Sequence, residues 1–208
     1  GRIEKMQDNQ AILVGAASSV SFNFEGNSCS ISLQSLVDHQ NYVSLELDGK
    51  YIGRIRIEKG GLRSFPIVVS EKKKTHHLSI YKATEAANGG VLFAGTTAKL
   101  LESSNPKTKK KIEFIGDSIT CGFGNDATTI PCGTGDWFDQ HNAYWAYGPV
   151  LSRALDIDYV LSSVSGYGMY RNWNDEHLDE PIIPDVYENL YLDKDQSKPY
   201  DFKFQPDL

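Results

Sequence analysis

Ile112-Glu113-Phe114-Ile115-Gly116-Asp117-Ser118-Ile119-Thr120 is where the pattern of the chain changes. Ile112 to Ile115 reads as a short apolar strand that ends at Gly116, with a turn into a helix after it. A serine at the carboxyl end of a buried parallel strand stands where open α/β sheets bind ligands. The turn lifts its hydroxyl above the sheet edge. The start of the following helix aims backbone N–H groups and a partial positive charge at the same spot. Acyl transfer needs this arrangement, because its tetrahedral intermediate develops an oxyanion. One oxyanion donor is worth about 2.7–4 kcal/mol. Ser118 is therefore the candidate nucleophile, and Gly116 is expected to permit the tight turn.

Downstream, Tyr147 to Leu155 is expected to be helical. Tyr147, Val150, Leu151, Ala154 and Leu155 share one face, and Pro149 fits only in the first turn. Tyr159 to Val164 reads as a second strand, ended by Ser165-Gly166-Tyr167-Gly168, and Pro184 to Leu190 as the start of another helix. Strand, helix, strand, helix predicts an α/β layer with a parallel sheet. Gln205-Pro206-Asp207-Leu208 looks like the beginning of a third strand. Two strands make a poor parallel sheet, so this domain is expected to be incomplete in the chain.

Upstream the period is two. Val20, Phe22 and Phe24 alternate with polar residues, as do Ile31 and Leu33, and Val43, Leu45 and Leu47. Asp48-Gly49 is a hairpin signal, and Tyr51, Gly53, Ile55 and Ile57 follow in phase. Phe65, Ile67, Val69, Leu78, Ile80 and the run around Val91 to Phe93 continue the pattern, which predicts an antiparallel β-sandwich. Pro106 and its small polar neighbours, followed by Lys109-Lys110-Lys111, mark a boundary. The expected organisation is a sandwich over residues 1–104, a linker over 105–111, and an α/β region over 112–208.

The 208 residues carry a net charge of -6, which argues against nucleic acid and against a general affinity for anionic membranes. No apolar run approaches the roughly 20 residues of a membrane span. Gly1 to Gln10 is polar and is not a signal peptide, and the chain begins with Gly, so a removed export signal is compatible with it. Cys29, Cys121 and Cys132 show neither CxxC nor zinc spacing. Cys121 and Cys132 bonded, or all thiols free, both fit the sequence.

Gly116, Gly122 and Gly124 also suggest a phosphate loop. No Lys-Ser or Lys-Thr follows at the required spacing, the third glycine of a dinucleotide fingerprint is missing, and Asp117 would repel a phosphate. That reading is set aside.

The stretch 112–120 resembles the first block of the SGNH (GDSL-type) hydrolases. Ser165-Gly166-Tyr167-Gly168-Met169-Tyr170-Arg171-Asn172 resembles their second block as it occurs in carbohydrate esterase family 2. Asn41-Tyr42-Val43 with Asp48-Gly49, and Lys82-Ala83-Thr84-Glu85-Ala86, resemble segments of that family's N-terminal jelly-roll domain. Ala146-Tyr147-Gly148 with Arg153-Ala154-Leu155 resembles its first catalytic-domain helix. The resemblance implies an N-terminal jelly roll followed by an α/β/α SGNH-hydrolase domain, truncated here. It implies Ser118 as nucleophile, with its own N–H and that of Gly166 as oxyanion donors. The substrate class it implies is acetylated plant polysaccharide such as xylan or glucomannan. No metal or organic cofactor is implied, and a secreted or periplasmic location goes with the family.

The family pattern also has a Gly-x-Asn-Asp block, whose Asn is a third oxyanion donor, and a late Asp-x-x-His block, whose His is the general base. Neither occurs in these residues. His39, His76 and His77 fall in the sandwich, the last two read as exposed. His141 and His177 fall in the second half and are weak candidates for the base. Trp137, Phe138, Tyr144, Trp145, Tyr167, Tyr170 and Trp173 flank the two blocks and offer faces for sugar stacking or for loop packing. Two other functions stay open: a non-catalytic carbohydrate-binding protein, and a GDSL-type esterase or lipase acting on other small esters.

Overall fold

The computed structural model describes residues 1–69, 73–102, 109–174, 179–195 and 198–208. The expected linker lies mostly outside these, and so does His177.

Ten strands form two five-stranded antiparallel sheets. They are β1 (Ile3–Lys5), β2 (Ala11–Leu13), β3 (Ser19–Glu25), β4 (Ser28–Ser35), β5 (Asn41–Leu47), β6 (Lys50–Ile57), β7 (Arg63–Val68), β8 (Thr75–Lys82), β9 (Val91–Thr96) and β10 (Lys99–Leu101). One sheet has the order β1-β2-β9-β4-β7, the other β10-β3-β8-β5-β6. The inward residues of both, among them Phe24, Ile31, Leu33, Val43, Leu45, Leu78, Ile80 and Val91, make one buried core. Period two survives into the structure because each strand faces this core on one side only. At the β5–β6 turn Asp48 and Gly49 both have positive φ, and Leu47 pairs with Lys50, so the hairpin is the two-residue kind that the sequence signalled.

The second half contains β11 (Lys111–Gly116) and β12 (Asp158–Ser163), which pair in parallel from Lys111↔Asp158 to Gly116↔Ser163. Lys111, the last residue of the expected linker, is the first of β11. Among the described residues three short α-helices accompany them: α1 (Ser118–Cys121), α2 (Tyr147–Leu155) and α3 (Ile183–Val186). Leu208 N–H donates to Lys111 C=O at 3.3 Å, and Glu113 N–H donates to Leu208 C=O at 3.0 Å. This is the bonding of a parallel neighbour on the free side of β11.

Three expectations are corrected here. The helix after Ser118 is a single turn, so it contributes little axial dipole. The expected helix from Pro184 to Leu190 is only α3. In α2 the range is as read, but Gly148, Pro149 and Ser152 face inward, while Tyr147, Val150, Leu151 and Leu155 are 49, 41, 43 and 60% exposed. The sheet beneath takes the small residues because Phe114 and Leu161 already fill the space under Gly148.

The two halves share cores. Ile12, Val14 and Ala86 pack with Val164, Ile183, Val186 and Leu192, and Ala16 and Ala17 pack with Cys121, Ala143 and Leu161. Among the described residues no helix is long and apolar enough to cross a membrane.

Candidate active site

Ser118 lies two residues past the end of β11, and Gly166 lies three past the end of β12. The strands are adjacent and parallel, so both residues emerge at the same edge. Ser118 is half-buried at the first position of α1. Asp117 caps the turn, its carboxylate accepting from the Ile119 N–H at 3.0 Å. The Phe123 N–H donates to the Ser118 carbonyl at 2.9 Å, which closes the loop behind the turn.

Both glycines have structural reasons, and that of Gly116 is not the one read from the sequence. A Cβ on Gly116 would stand 2.2 Å from Thr120 Oγ1, so close approach of α1, rather than turn geometry, requires it. Gly166 has φ +82 and open space around its missing Cβ, so its backbone conformation is what favours glycine. Its carbonyl accepts from the Trp173 N–H at 2.8 Å, and the Gly168 N–H donates to Asn172 Oδ1 at 3.1 Å.

Beneath these two turns is a buried polar group that the sequence did not announce. Glu85, just past β8, is fully buried, and its Oε2 accepts from the Ser165 N–H at 2.7 Å. Lys82 is also fully buried, its ammonium donating to the Glu85 carbonyl. Burial pulls the Lys82 ammonium down to about 7, against the partial compensation of Glu85. Cys121, at the end of α1, donates to Ser163 Oγ at 3.1 Å. Burial, with the Glu85 carboxylate beside it, pushes its thiol well up, so it is inert. All three cysteines are free, and Cys132 is exposed.

His141 is buried in the same group, and burial lowers its basicity. Its Nε2 lies 3.4 Å from Ser165 Oγ and 4.0 Å from Glu85 Oε2. One ring nitrogen faces both partners. This is not a catalytic relay, in which carboxylate and serine take opposite nitrogens. Among the described residues, no histidine meets Ser118. His39 stacks on Phe138, His77 bonds Asn23, and His76 bonds Asp48 at 2.7 Å. His76 was expected to be exposed; it is buried because it has the same parity on β8 as Leu78 and Ile80.

Of the flanking aromatics, Tyr144 is buried and donates to Glu46, and Phe138 and Tyr167 are partly buried in packing contacts. Trp137 lies edge-on to His141 and is partly exposed, while Tyr170 and Trp173 are exposed beyond Gly166.

Residues 1–106 match the family model described as carbohydrate esterase 2 N-terminal. The chain belongs to carbohydrate esterase family 2. An acetylxylan esterase / glucomannan deacetylase of Cellvibrio japonicus is 32% identical over 162 residues, which is 77% of this chain and 43% of that protein. The cellulase/esterase CelE of Acetivibrio thermocellus is 30% identical over 190 residues, 90% of this chain and 22% of that one. The chain thus spans less than half the length of these curated relatives. A family two carbohydrate esterase from Clostridium thermocellum, solved in complex with cellohexaose, superposes with a TM-score of 0.82 at 28% identity. That superposition covers 99% of this chain and 62% of the other. A Cellvibrio japonicus member at 23% identity, with a TM-score of 0.83 over all of this chain and 61% of the other, shares the fold.

Proposed function

We propose that this chain carries the nucleophile of a serine carbohydrate acetyl esterase. Ser118 attacks the acetyl carbonyl, and the N–H groups of Ser118 and Gly166 receive the oxyanion. The tetrahedral intermediate expels the sugar oxygen, which takes a proton, and leaves acetyl-Ser118. Water then repeats the sequence and releases acetate. The substrate is acetylated plant polysaccharide of the xylan or glucomannan type, as the named activities of the relatives suggest. Such a polymer is met outside the cell, so a secreted or periplasmic location belongs with this reading.

The observation that carries the proposal is the emergence of Ser118 and Gly166 from the ends of adjacent parallel strands. Residues 112–208 are read as the first part of an SGNH-hydrolase domain behind a jelly roll over 1–104. The bonds of Leu208 along β11 support a further strand in that sheet. A serine hydroxyl needs a base, and the family's Asn and His blocks, absent from these residues, would supply it and the third oxyanion donor.

The test is acetate release from acetylated xylan, or hydrolysis of p-nitrophenyl acetate, by the full-length protein. Ser118→Ala should lower kcat by about 10⁴-fold or more without changing the melting temperature. Full activity in that variant would sink the reading.

A further inference from the structure

We propose that Glu85, a residue of the antiparallel half, is a positioning residue for the oxyanion donor Gly166. The inference rests on the assignment of Ser118 and Gly166 given above.

Four observations converge. First, the Glu85 carboxylate is fully buried and holds the N–H of Ser165, the residue directly before Gly166, at 2.7 Å. A charge-assisted bond of this kind is about twice as strong as a neutral one, and burial keeps it from being screened. Second, the carboxylate stands beside Cys121, the last residue of the turn that begins with Ser118. It therefore bonds the oxyanion turn directly and lies near the nucleophile turn. Third, Lys82 is buried alongside and fixes the Glu85 backbone through its carbonyl. An isolated buried carboxylate near a developing oxyanion would raise the barrier. Lys82 next to it, drawn down to about 7 by burial, carries part of a positive charge near neutral pH and offsets that repulsion in part. Fourth, Gly166 has φ +82 and no neighbour within 4 Å of a Cβ, so packing around the Cβ position does not hold the oxyanion turn. It depends on backbone bonds at its ends; on the strand side these are the Val164 N–H to the Gly116 carbonyl at 3.2 Å and, nearest Gly166, the Ser165 N–H to Glu85 at 2.7 Å. The antiparallel half thus contributes to the chemistry by fixing the peptide that meets the oxyanion, without touching the substrate.

The variants are made in the full-length protein, with p-nitrophenyl acetate as substrate and a boronic acid as probe. The boronate forms a tetrahedral adduct with the serine and places an oxygen in the oxyanion site. Glu85→Gln keeps the size and one acceptor but removes the charge. It should lower kcat about tenfold, leave KM within about threefold, and weaken the boronate by the factor lost in kcat. Glu85→Ala should cost about 10²-fold, the scale of an ångström of misplacement. Oxyanion contacts act mainly in the transition state, so a KM change without a kcat change is not expected. If Glu85→Gln does not fold, Glu85→Asp is read on the same axes, since it keeps the charge and withdraws it from Ser165.

A folded Gln or Asp variant with parental kcat and boronate affinity overturns the proposal, and so does one that alters only melting temperature or KM. In those cases a dead Ser118→Ala variant shows that the nucleophile assignment still stands. Activity that survives Ser118→Ala overturns both.

Discussion

The antiparallel half and the parallel pair treat their apolar residues in opposite ways. In the first, residues from both sheets close over one another, and Phe24, Leu33, Leu78 and Ile80 are fully buried. In the second, Ile115, Ile119 and Leu155 are exposed, and the deepest contacts are polar or reach back to the antiparallel half. The comparison teaches that the parallel pair is held from outside. Its order comes from Arg2, Glu85 and the Ala16–Ala17 contacts, which belong to the other half. A site built there inherits its geometry from residues far away in sequence.

The sharpest way to break this dependence is at Arg2. Its side chain is fully buried and donates to Ser162 Oγ at 3.0 and 3.1 Å, to the Tyr187 carbonyl at 2.9 Å and to the Asn189 carbonyl at 2.8 Å. The guanidinium also lies 4.1 Å from the centre of the Tyr200 ring. Arg2→Ala strips partners from two carbonyls and leaves Glu113, which accepts from Ser162 and Tyr187, without its nearby cation. Breaking a buried network by deleting one charged partner costs about 3–5 kcal/mol. Urea unfolding should show that loss, and proteolysis should cut first between residues 179 and 208. A loss below about 1 kcal/mol would mean that the parallel pair holds itself.

A matched pair of truncations sharpens the contrast. Leu33→Ala empties a fully buried position and should cost about 2–5 kcal/mol. Leu155→Ala removes the same atoms from a site that is 60% exposed and should stay within about 0.5 kcal/mol. Equal effects, measured by chemical denaturation, would show that something covers α2 in solution.

The same contrast decides what was legible. Strands β3 to β9 could be read because each turns alternate residues into the core, and alternation records that directly; in β5 the other face is buried too, where Ser44 and Glu46 bond Asn142 and Tyr144. Strands β1, β2 and β10 have three residues each, too few to show a period. The range of α2 was legible, but its buried face was not, since helical periodicity finds the apolar stripe and this sheet receives the small residues. At the site, Ser118 and Gly166 stood out because turn chemistry is local. Glu85 did not, because its partner Ser165 is 80 residues away. The cue available was Lys82 three residues before Glu85, at the end of a strand whose inward parity already included Lys82.

The mildest test concerns Glu4, which links β1 to the segment after α3. Its carboxylate accepts from Lys198 and from Tyr191, and those bonds, Lys198 first, hold it below the usual carboxylate range. The unfolded chain therefore takes up the proton first. The contribution is fully present above the ordinary carboxylate value of about 4.3 and is lost as pH falls through the lower folded value. Lys198 is largely exposed, so the pair is screened and worth about 1 kcal/mol or less. Glu4→Gln should destabilise by that amount near neutral pH, and the gap should close in acid. A gap that persists undiminished in acid would assign the effect to the Tyr191 hydrogen bond rather than to charge. Arg2 stays charged across that range, so the Arg2→Ala deficit should persist where the Glu4→Gln deficit fades. That separates the buried tie between the two halves from the one at their rim.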